Sequence, residues 1–428
     1  MTEVVDRIRA DLEALAGVAH RYAGTEGERE MLHHVRSRLP EGHPSRIEGF
    51  VAYTSPSMVL GIHALALLIS GVLGLWWPLE ASVACGLVTA SLVLEGSERF
   101  SLLRRLLLKS ASYNLVWRSQ VPNALGTLVI SAPLDRPRWR LSRPGWLVRP
   151  LRLVVVSAGV VTVLVTLRAL AEPWGRPSQG MYAVALLVLA TTVALGMVAH
   201  RRASRAVGGA SGCAALLELN RRFCDAPPPD LDIWMVFTGC SYAYQNGMHA
   251  FLAMRGGRLA EPVFVLALAD PGKAPLQAIV SEGPLWPEHH RSTGPALVER
   301  LRWAGVDIPS IDTAGATDAR AALQWGYRSL ALSGGSAPTR AEDTLRAVEV
   351  AEALCRLYAE DLHHVPELRP ALRGLLEPPV GEGVGPVGEG VGPVGEGVGP
   401  VGEGVGPVGE GVPEPVQLAP ERTSPLVS

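Results

Sequence analysis

The chain has 428 residues, which is enough for one sizeable globular domain with additional segments. Hydrophobic residues make up 48% of it and charged residues only 19%. An average soluble domain has about 25% charged residues, so part of this chain is expected to lie in a lipid bilayer. The net charge of -2 excludes the strong positive charge of a nucleic-acid-binding protein, and no nucleic acid partner is expected.

The N-terminal segment 2–39 predicts two helices and no secretory signal, because it is charged and contains no long apolar stretch. A second helix is predicted at 26–39, with Thr25 as its N-cap and Glu28 placed for a capping box. Apolar residues recur at helical spacing in the first part, at Val5, Ile8, Leu12, Leu15 and Ala16.

Four apolar runs predict membrane-spanning helices arranged as two hairpins. The first pair, 57–77 and 81–94, is joined by a turn that carries two tryptophans, and the second pair is 151–170 and 181–199. About 20 apolar residues cross the hydrocarbon core as a helix, and tryptophan is typical of the membrane interface. A buried hairpin in a globular core is the alternative for the first pair.

Basic residues near the run ends predict the orientation of these helices. The loops on one side are rich in arginine, while the opposite loops contain only Arg168 and Arg176. Both termini and the soluble segments are therefore expected to be cytoplasmic. The basic side comprises Arg99, Arg104, Arg105, Lys109, Arg136, Arg138, Arg140, Arg143, Arg149, Arg152, Arg201, Arg202 and Arg205.

Outside the apolar runs, short strands alternate with helices, which predicts an α/β sheet covered on both faces. Strands are predicted at 113–118, 125–131, 233–238 and 263–269, and helices at 210–223, 293–304 and 342–362. The tail repeats the sequence GEGVGPV over 381–412 and is expected to be disordered, since such a composition cannot bury enough apolar surface. The predicted segments are 1–56, 57–95, 96–150, 151–200, 201–370 and 371–428.

Several short segments carry a shared pattern in chain order. They are 21–28 (RYAGTEGE), 113–116 with 126–135 (YNLV and GTLVISAPLD), 209–219 (GASGCAALLEL), 232–239 with 247–251 (DIWMVFTG and GMHAF), and 317–319 with 326–327 and 342–344 (TDA, GY and EDT). Together they resemble the di-zinc aminopeptidase family, also called metallopeptidase family twenty-eight. The resemblance covers nearly all of the chain outside the four runs and the tail, and it implies an aminopeptidase-like mixed sheet flanked by helices.

The resemblance also implies where a metal site would lie. The family uses two zinc ions, held by two histidines and three carboxylates, and a further glutamate as general base. At the positions of the two histidines this chain has Pro133 and Thr339, and at the bridging aspartate it has Gly208. None of these side chains supplies a ligand of the required kind.

The remaining family positions are altered as well. Ser241 and Tyr242 stand where the family has the general base and a ligand glutamate, and the last aspartate falls on either Ala269 or Asp270. Asp135 matches the aspartate that orients the first histidine, and with Pro133 in that place it has nothing to orient. The implied site is therefore degenerate, and no zinc is expected to bind.

Two hypotheses for the function follow. The preferred one is a membrane-tethered pseudo-peptidase that binds lipid and a peptide or protein partner without hydrolysis. The alternative is an active hydrolase whose site has been relocated. Its candidate residues are Cys240 and Ser241 as a nucleophile pair, with His249 seven residues beyond Tyr242. Further candidates, for a relocated metal, are His289, His290 and Asp312. His63, inside an apolar run, is expected to hydrogen-bond to a neighbouring helix. The five cysteines, Cys85, Cys213, Cys224, Cys240 and Cys355, include no C-x-x-C pair and are interpreted as core thiols.

Overall fold

The computed structural model describes the helical N-terminus, the sheet and the first three apolar runs. The predicted fourth run at 181–199, Gly208 and the repeat tail lie outside the described residues. The described residues are 2–18, 20–40, 45–74, 76–98, 102–107, 109–136, 150–171, 210–283, 285–313 and 315–364.

The N-terminal segment forms helices α1 (Thr2–Ala16) and α2 (Glu26–Arg36). Helix α2 ends three residues before the predicted boundary, because Ser37 takes the C-cap position. Thr25 is the N-cap residue as predicted, but the capping box is wrong. The Thr25 N–H donates to the Tyr22 carbonyl at 3.0 Å, and the Glu28 carboxylate accepts hydrogen bonds from the backbone N–H groups of Gly24 and Cys240.

The described residues form one mixed sheet of nine strands. Its order is β1-β2-β4-β3-β5-β9-β6-β7, with β8 paired to β6. The strands are β1 (Ser45–Ala52), β2 (Ser110–Arg118), β3 (Gly126–Pro133), β4 (Leu231–Thr238), β5 (Val263–Ala269), β6 (Leu276–Glu282), β7 (Glu288–His289), β8 (Ser310–Thr313) and β9 (Arg328–Gly334).

The central strands β4, β3, β5 and β9 run parallel to one another. Strands β3 and β4 are buried at every position, which explains their continuous apolar sequences. Because parallel strands end on the same side, Pro133, Thr238, Ala269 and Gly334 all lie at one edge of the sheet. This edge is where α/β sheets commonly bind ligands.

Helices cover both faces of the sheet, as the alternating pattern predicts. One face packs against α1, α2 and further helices through residues such as Leu128 and Ile130, while alternate residues such as Val129 and Val265 pack on the other face. The further helices are α7 (Ala210–Asp225), α8 (Asn246–Arg255), α9 (Thr293–Trp303), α10 (Asp318–Gln324) and α11 (Ala341–His364). Helices α7, α9 and α11 join the first face, and α8 and α10 the second.

A tight helix–strand contact places α7 against the end of β5. A Cβ atom on Gly212 would lie 2.4 Å from the carbonyl oxygen of Leu268, so only glycine permits this approach. This close approach brings the first residues of α7, including Ser211, to the strand-end edge.

The first three apolar runs form helices α3 (Pro56–Leu73), α4 (Pro78–Gly96) and α6 (Pro150–Ala171). They pack together through a small apolar core of their own that includes Leu67, Cys85 and Val161. Among the described residues, only α4 is long and apolar enough to cross a membrane. The apolar stretches Met58–Leu73 and Ala158–Leu167 are shorter, so length and composition do not support the prediction of two membrane hairpins.

Hydroxyl groups join the helices of this bundle. Ser82 and Thr166 lie 2.7 Å apart between their side-chain oxygens, and Thr89 and Thr162 lie 2.9 Å apart. His63 lies 3.0 Å from the Ser91 hydroxyl on α4 through Nε2, and 2.8 Å from the Val59 carbonyl through Nδ1. The expectation that His63 hydrogen-bonds to a neighbouring helix is confirmed.

Candidate functional site

The strand-end edge contains a small pocket formed where β3, β4 and β5 end. The cavity volume is about 20 Å³, which is room for about one water molecule. Three positions of the implied metal site, Pro133, Ser241 and Tyr242, line it together with Ala269 and Asp318. The remaining lining residues are Ala267, Leu268, Ala316 and Thr317. The structure therefore brings these three positions together at the strand-end edge.

The loop that carries Ser241 and Tyr242 is held by side chains from other elements. Asp135 accepts hydrogen bonds from the backbone N–H groups of Ser241 at 3.0 Å and Tyr242 at 3.1 Å. Glu28 accepts from the Cys240 N–H, and Cys240 itself has a φ angle of 48°, in the left-handed region. Asp135 thus orients a loop, and the prediction that it has nothing to orient is wrong.

Asp318 is a site residue that the sequence did not reveal as one, although the T-D-A motif contains it. It is buried at the start of α10 and accepts hydrogen bonds from the hydroxyls of Thr238 and Ser241, both at 2.7 Å. Burial raises the pKa of Asp318, and burial followed by the charge of Glu28 raises the pKa of Asp135 well above its usual range. Both carboxyl groups are therefore biased toward the neutral form.

Of the two alternatives Ala269 and Asp270, only Asp270 carries a carboxylate at the end of β5. Ala269 is the last strand residue, and Asp270 follows with a φ angle of 57°. Its carboxylate accepts a hydrogen bond from the Ser211 hydroxyl at 2.6 Å and forms an ion pair with Lys273. Asp270 is the residue that places a carboxylate at this edge.

The other predicted positions contribute no ligand atom. Pro133 ends β3, and its carbonyl oxygen lies 3.2 Å from the Cys213 thiol, which is positioned to donate to it. Thr339 is exposed, although the N–H of the next residue, Arg340, donates to the Gly272 carbonyl near Asp270. Gly208 lies outside the described residues.

The polar groups at this edge do not fit a di-zinc centre. The carboxyl groups of Asp135, Asp270 and Asp318 each accept a hydrogen bond from the protein itself, and Asp270 also forms an ion pair with Lys273. Tyr242 adds a neutral phenol, because burial and the nearby charge of Asp270 raise its pKa. Within the described stretches of chain, no group of three or more histidine, cysteine, aspartate or glutamate side chains is arranged to hold a metal ion.

Cys240 and His249, the candidates for a relocated site, lie in separate surroundings. The Cys240 thiol is buried 4.0 Å from a Glu28 carboxylate oxygen, and burial raises its pKa well above the usual value, so it stays protonated. His249 Nδ1 accepts a hydrogen bond from the Trp325 indole at 3.0 Å. Neither residue has a contact that would activate a nucleophile.

His289, His290 and Asp312 do not meet at the pocket. His289 and Asp312 are exposed, whereas His290 is buried, with Nδ1 2.9 Å from the Ser329 hydroxyl and Nε2 3.1 Å from a Glu282 carboxylate oxygen. This line of serine, histidine and glutamate has the residue types of a hydrolase triad. Ser329 and Glu282 have no exposed surface, however, so a substrate cannot reach them.

Two buried arginines connect the pocket region to the base of the apolar bundle. Arg320, two residues after Asp318, forms ion pairs with Glu98 just beyond α4 and with Glu288. Arg104, on the short helix α5 (Leu102–Leu106), forms an ion pair with Glu95 at 2.6 Å. The Arg104 guanidinium also stacks on the ring of Tyr244, in the loop that carries Tyr242, at 4.1 Å.

Comparisons with known proteins match this chain only by its structure. No protein-family model matches it, and no curated protein does either. It is similar to the glutaminyl cyclase of Fimbriiglobus ruber, with 11% identity over 82% of this chain and 94% of that one, and a TM-score of 0.46. It is similar to a leucine aminopeptidase precursor from Bacteroides thetaiotaomicron, with 10% identity over 82% and 96% and a TM-score of 0.43. It is also similar to a Zn-dependent exopeptidase from Parabacteroides distasonis, with 10% identity over 84% and 97% and a TM-score of 0.41.

Proposed function

We propose that this chain is a membrane-anchored, aminopeptidase-like protein that binds a peptide or protein partner and does not hydrolyse peptides. The observation that carries the proposal is that groups of the protein itself already donate hydrogen bonds to the carboxyl groups near the strand ends. Asp135, Asp270 and Asp318 are each held by donors of the chain itself, and Pro133 and Tyr242 occupy ligand positions.

The chemistry of metal-dependent hydrolysis explains why this arrangement argues against it. Two zinc ions polarise a peptide carbonyl and activate a water only if anionic or imidazole ligands hold them and a free carboxylate accepts the proton. Proline offers no side-chain lone pair. Ser241, at the position of the base, donates its proton to Asp318 in a hydrogen bond. The proposal therefore assigns the fold a binding role without hydrolysis.

The membrane anchor in this proposal consists of α3, α4 and α6, together with the apolar run 181–199. The three described helices expose large apolar side chains around the bundle, which a water-soluble surface rarely does. Helix α4 has 19 residues, or about 28 Å at 1.5 Å per residue, close to the thickness of the hydrocarbon core. The exposed side chains are Met58, Leu65, Ile69, Val72, Leu73, Leu79, Val83, Leu87, Leu94, Val156, Val160, Val163, Leu167 and Leu170.

Elemental analysis tests the absence of a metal centre. The full chain, purified in detergent and dialysed against trace zinc, is expected to retain none and to release no amino acid from aminoacyl substrates. A firmly held zinc ion with aminopeptidase activity would overturn the proposal. Replacing Cys240, His249 and Asp270 by alanine, one at a time, would then locate the active residues, since activity must disappear in at least one variant if a relocated site uses them.

A further inference from the structure

A buried ion pair lies at the strand-end edge that the metal ions of an active relative would occupy. The Lys273 side chain is only 5% exposed and pairs with the Asp270 carboxylate, itself 16% exposed. The chain contains only two lysines, Lys109 and Lys273, among 39 basic residues, so arginine is its usual cation. At this enclosed position the chain has a lysine, whose compact ammonium fits more easily than a planar guanidinium.

The pair stands where four elements meet. The backbone N–H of Gly334, at the end of β9, donates to the Asp270 carbonyl at 3.2 Å, and that of Gly335 donates to the Lys273 carbonyl at 3.1 Å. The N–H of Gly272 donates to the Ser211 hydroxyl at 3.1 Å, at the start of α7. The N–H of Arg340, just before α11, donates to the Gly272 carbonyl at 3.0 Å.

The packing around the pair leaves no room for a rearrangement of the loop. A Cβ atom on Gly334 would lie 2.6 Å from the Lys273 Cβ, so β9 must end in glycine for Lys273 to lie here. A second buried cation, Arg21, lies close enough to Asp270 for their charges to interact. Two cationic side chains of the chain, Lys273 and Arg21, therefore act electrostatically on Asp270.

We propose that Lys273 supplies from within the chain the positive charge that a divalent metal ion supplies at this edge in a di-zinc peptidase. A buried carboxylate is costly unless a cation compensates it. In this protein the ammonium of Lys273 neutralises Asp270 and holds the ends of β5 and β9 against α7 and α11. The inference rests on the proposed function in one respect, namely that no metal occupies the edge.

Thermal unfolding of the full chain in detergent tests the role of the charge. Lys273→Met leaves Asp270 buried without its cation and is expected to lower the melting temperature by about 5–10 °C. The double variant Lys273→Met with Asp270→Asn removes both charges and is expected to recover part of that loss. Lys109→Met is the matched control, since Lys109 is exposed, and it should leave the melting temperature unchanged.

Reductive methylation of the unmodified protein gives an independent readout that does not require any variant to fold. Lys109 is expected to be dimethylated rapidly in the folded state, whereas Lys273 should react only after denaturation. Equal methylation of the two lysines, or a Lys273→Met variant as stable as Lys109→Met, would overturn the inference. A double variant no more stable than Lys273→Met alone would also overturn it, because the two charges would not be coupled.

The proposed function fails by a different result. If the unmodified protein holds zinc and its melting temperature falls when a chelator removes the metal, the site is a metal centre and both proposals fail. If the protein contains no zinc and is insensitive to chelator, while Lys273→Met is fully stable, only the role of Lys273 is wrong.

Discussion

At the scale of single residues, His249 links burial to pH dependence. Burial, followed by the charge of Arg104, lowers its pKa to about 4 from an ordinary value of 6.5. Between these two values the unfolded chain binds a proton that the folded chain does not bind. Stability is therefore lost as the pH falls from 6.5 toward 4, by up to about 3 kcal/mol at 1.36 kcal/mol per pKa unit.

The variant His249→Asn tests this contribution, because asparagine keeps an acceptor for the Trp325 indole and does not titrate. Its free energy of unfolding, measured in urea at several pH values, should depend less on pH between 4 and 6.5 than that of the unmodified protein. The exposed His289→Asn serves as control and should retain the original profile. An unchanged slope in His249→Asn would show that His249 titrates normally.

Cys240 provides a second test at this scale, aimed at the hypothesis of a relocated nucleophile. Its thiol is buried and its pKa is raised by burial and by the charges of Glu28 and Asp135. A thiol reagent such as iodoacetamide should therefore leave Cys240 unmodified in the folded protein, while Cys224, which is only partly buried, reacts first. Peptide mapping by mass spectrometry measures both. Preferential modification of Cys240 would indicate an activated thiol and revive that hypothesis.

At the scale of secondary-structure elements, Arg320 on α10 forms an ion pair with Glu98, two residues after the end of α4. Its side chain is 2% exposed, and burial lowers its pKa to about 10. Replacing it by methionine leaves Glu98 and Glu288 without their cation, and should reduce the free energy of unfolding by about 3–5 kcal/mol. Arg302→Met, in an exposed ion pair with Glu299, should cost at most about 1 kcal/mol. Equal effects in the two variants would mean that the Arg320 contacts do not stabilise the junction.

The length and apolar pattern of each segment determined which helices and strands could be predicted from the sequence. Segments with a long helical periodicity or a continuous apolar run could be predicted from the sequence. Strand 263–269 and helices such as 210–223 are therefore confirmed within a few residues. Strands β1, β6, β8 and β9 and the short helices α8 and α10 were not predicted. They are short or have mixed polarity, and their positions are determined by neighbouring strands rather than by their own pattern.

Site residues were predictable by a similar rule. Pro133, Ser241 and Tyr242 line one pocket, because they lie at or just after the ends of the parallel strands β3 and β4. The compensating residues were not anticipated. Lys273 lies three residues after Asp270, and Asp318 lies in a motif with no assigned role, so their partners become visible only when distant segments are brought together.

At the scale of the whole molecule, the α3–α4 turn and the base of the apolar bundle are expected to face opposite sides of a membrane. Leu79, which is 67% exposed, lies in the first turn of α4 next to the loop from α3. Leu106, which is 84% exposed, lies on α5 at the base of the bundle. If α3 and α4 form a membrane hairpin, the turn lies on the side opposite to the sheet. In that case, the basic residues near the base predict that the base faces the cytoplasm.

Labelling of an introduced cysteine in intact cells tests this arrangement, since the four native cysteines other than Cys224 are buried. In a background with Cys224 replaced by alanine, Leu79→Cys should react with a membrane-impermeant maleimide and Leu106→Cys should not; permeabilisation should make both reactive. Because the two positions are similarly exposed in the protein, a difference in reactivity reports the membrane rather than local burial. Labelling of both positions from outside, or of neither, would mean that α3 and α4 do not cross the bilayer as a hairpin. The bundle would then be a buried or peripheral element, and the protein would have to cover its apolar surface by association.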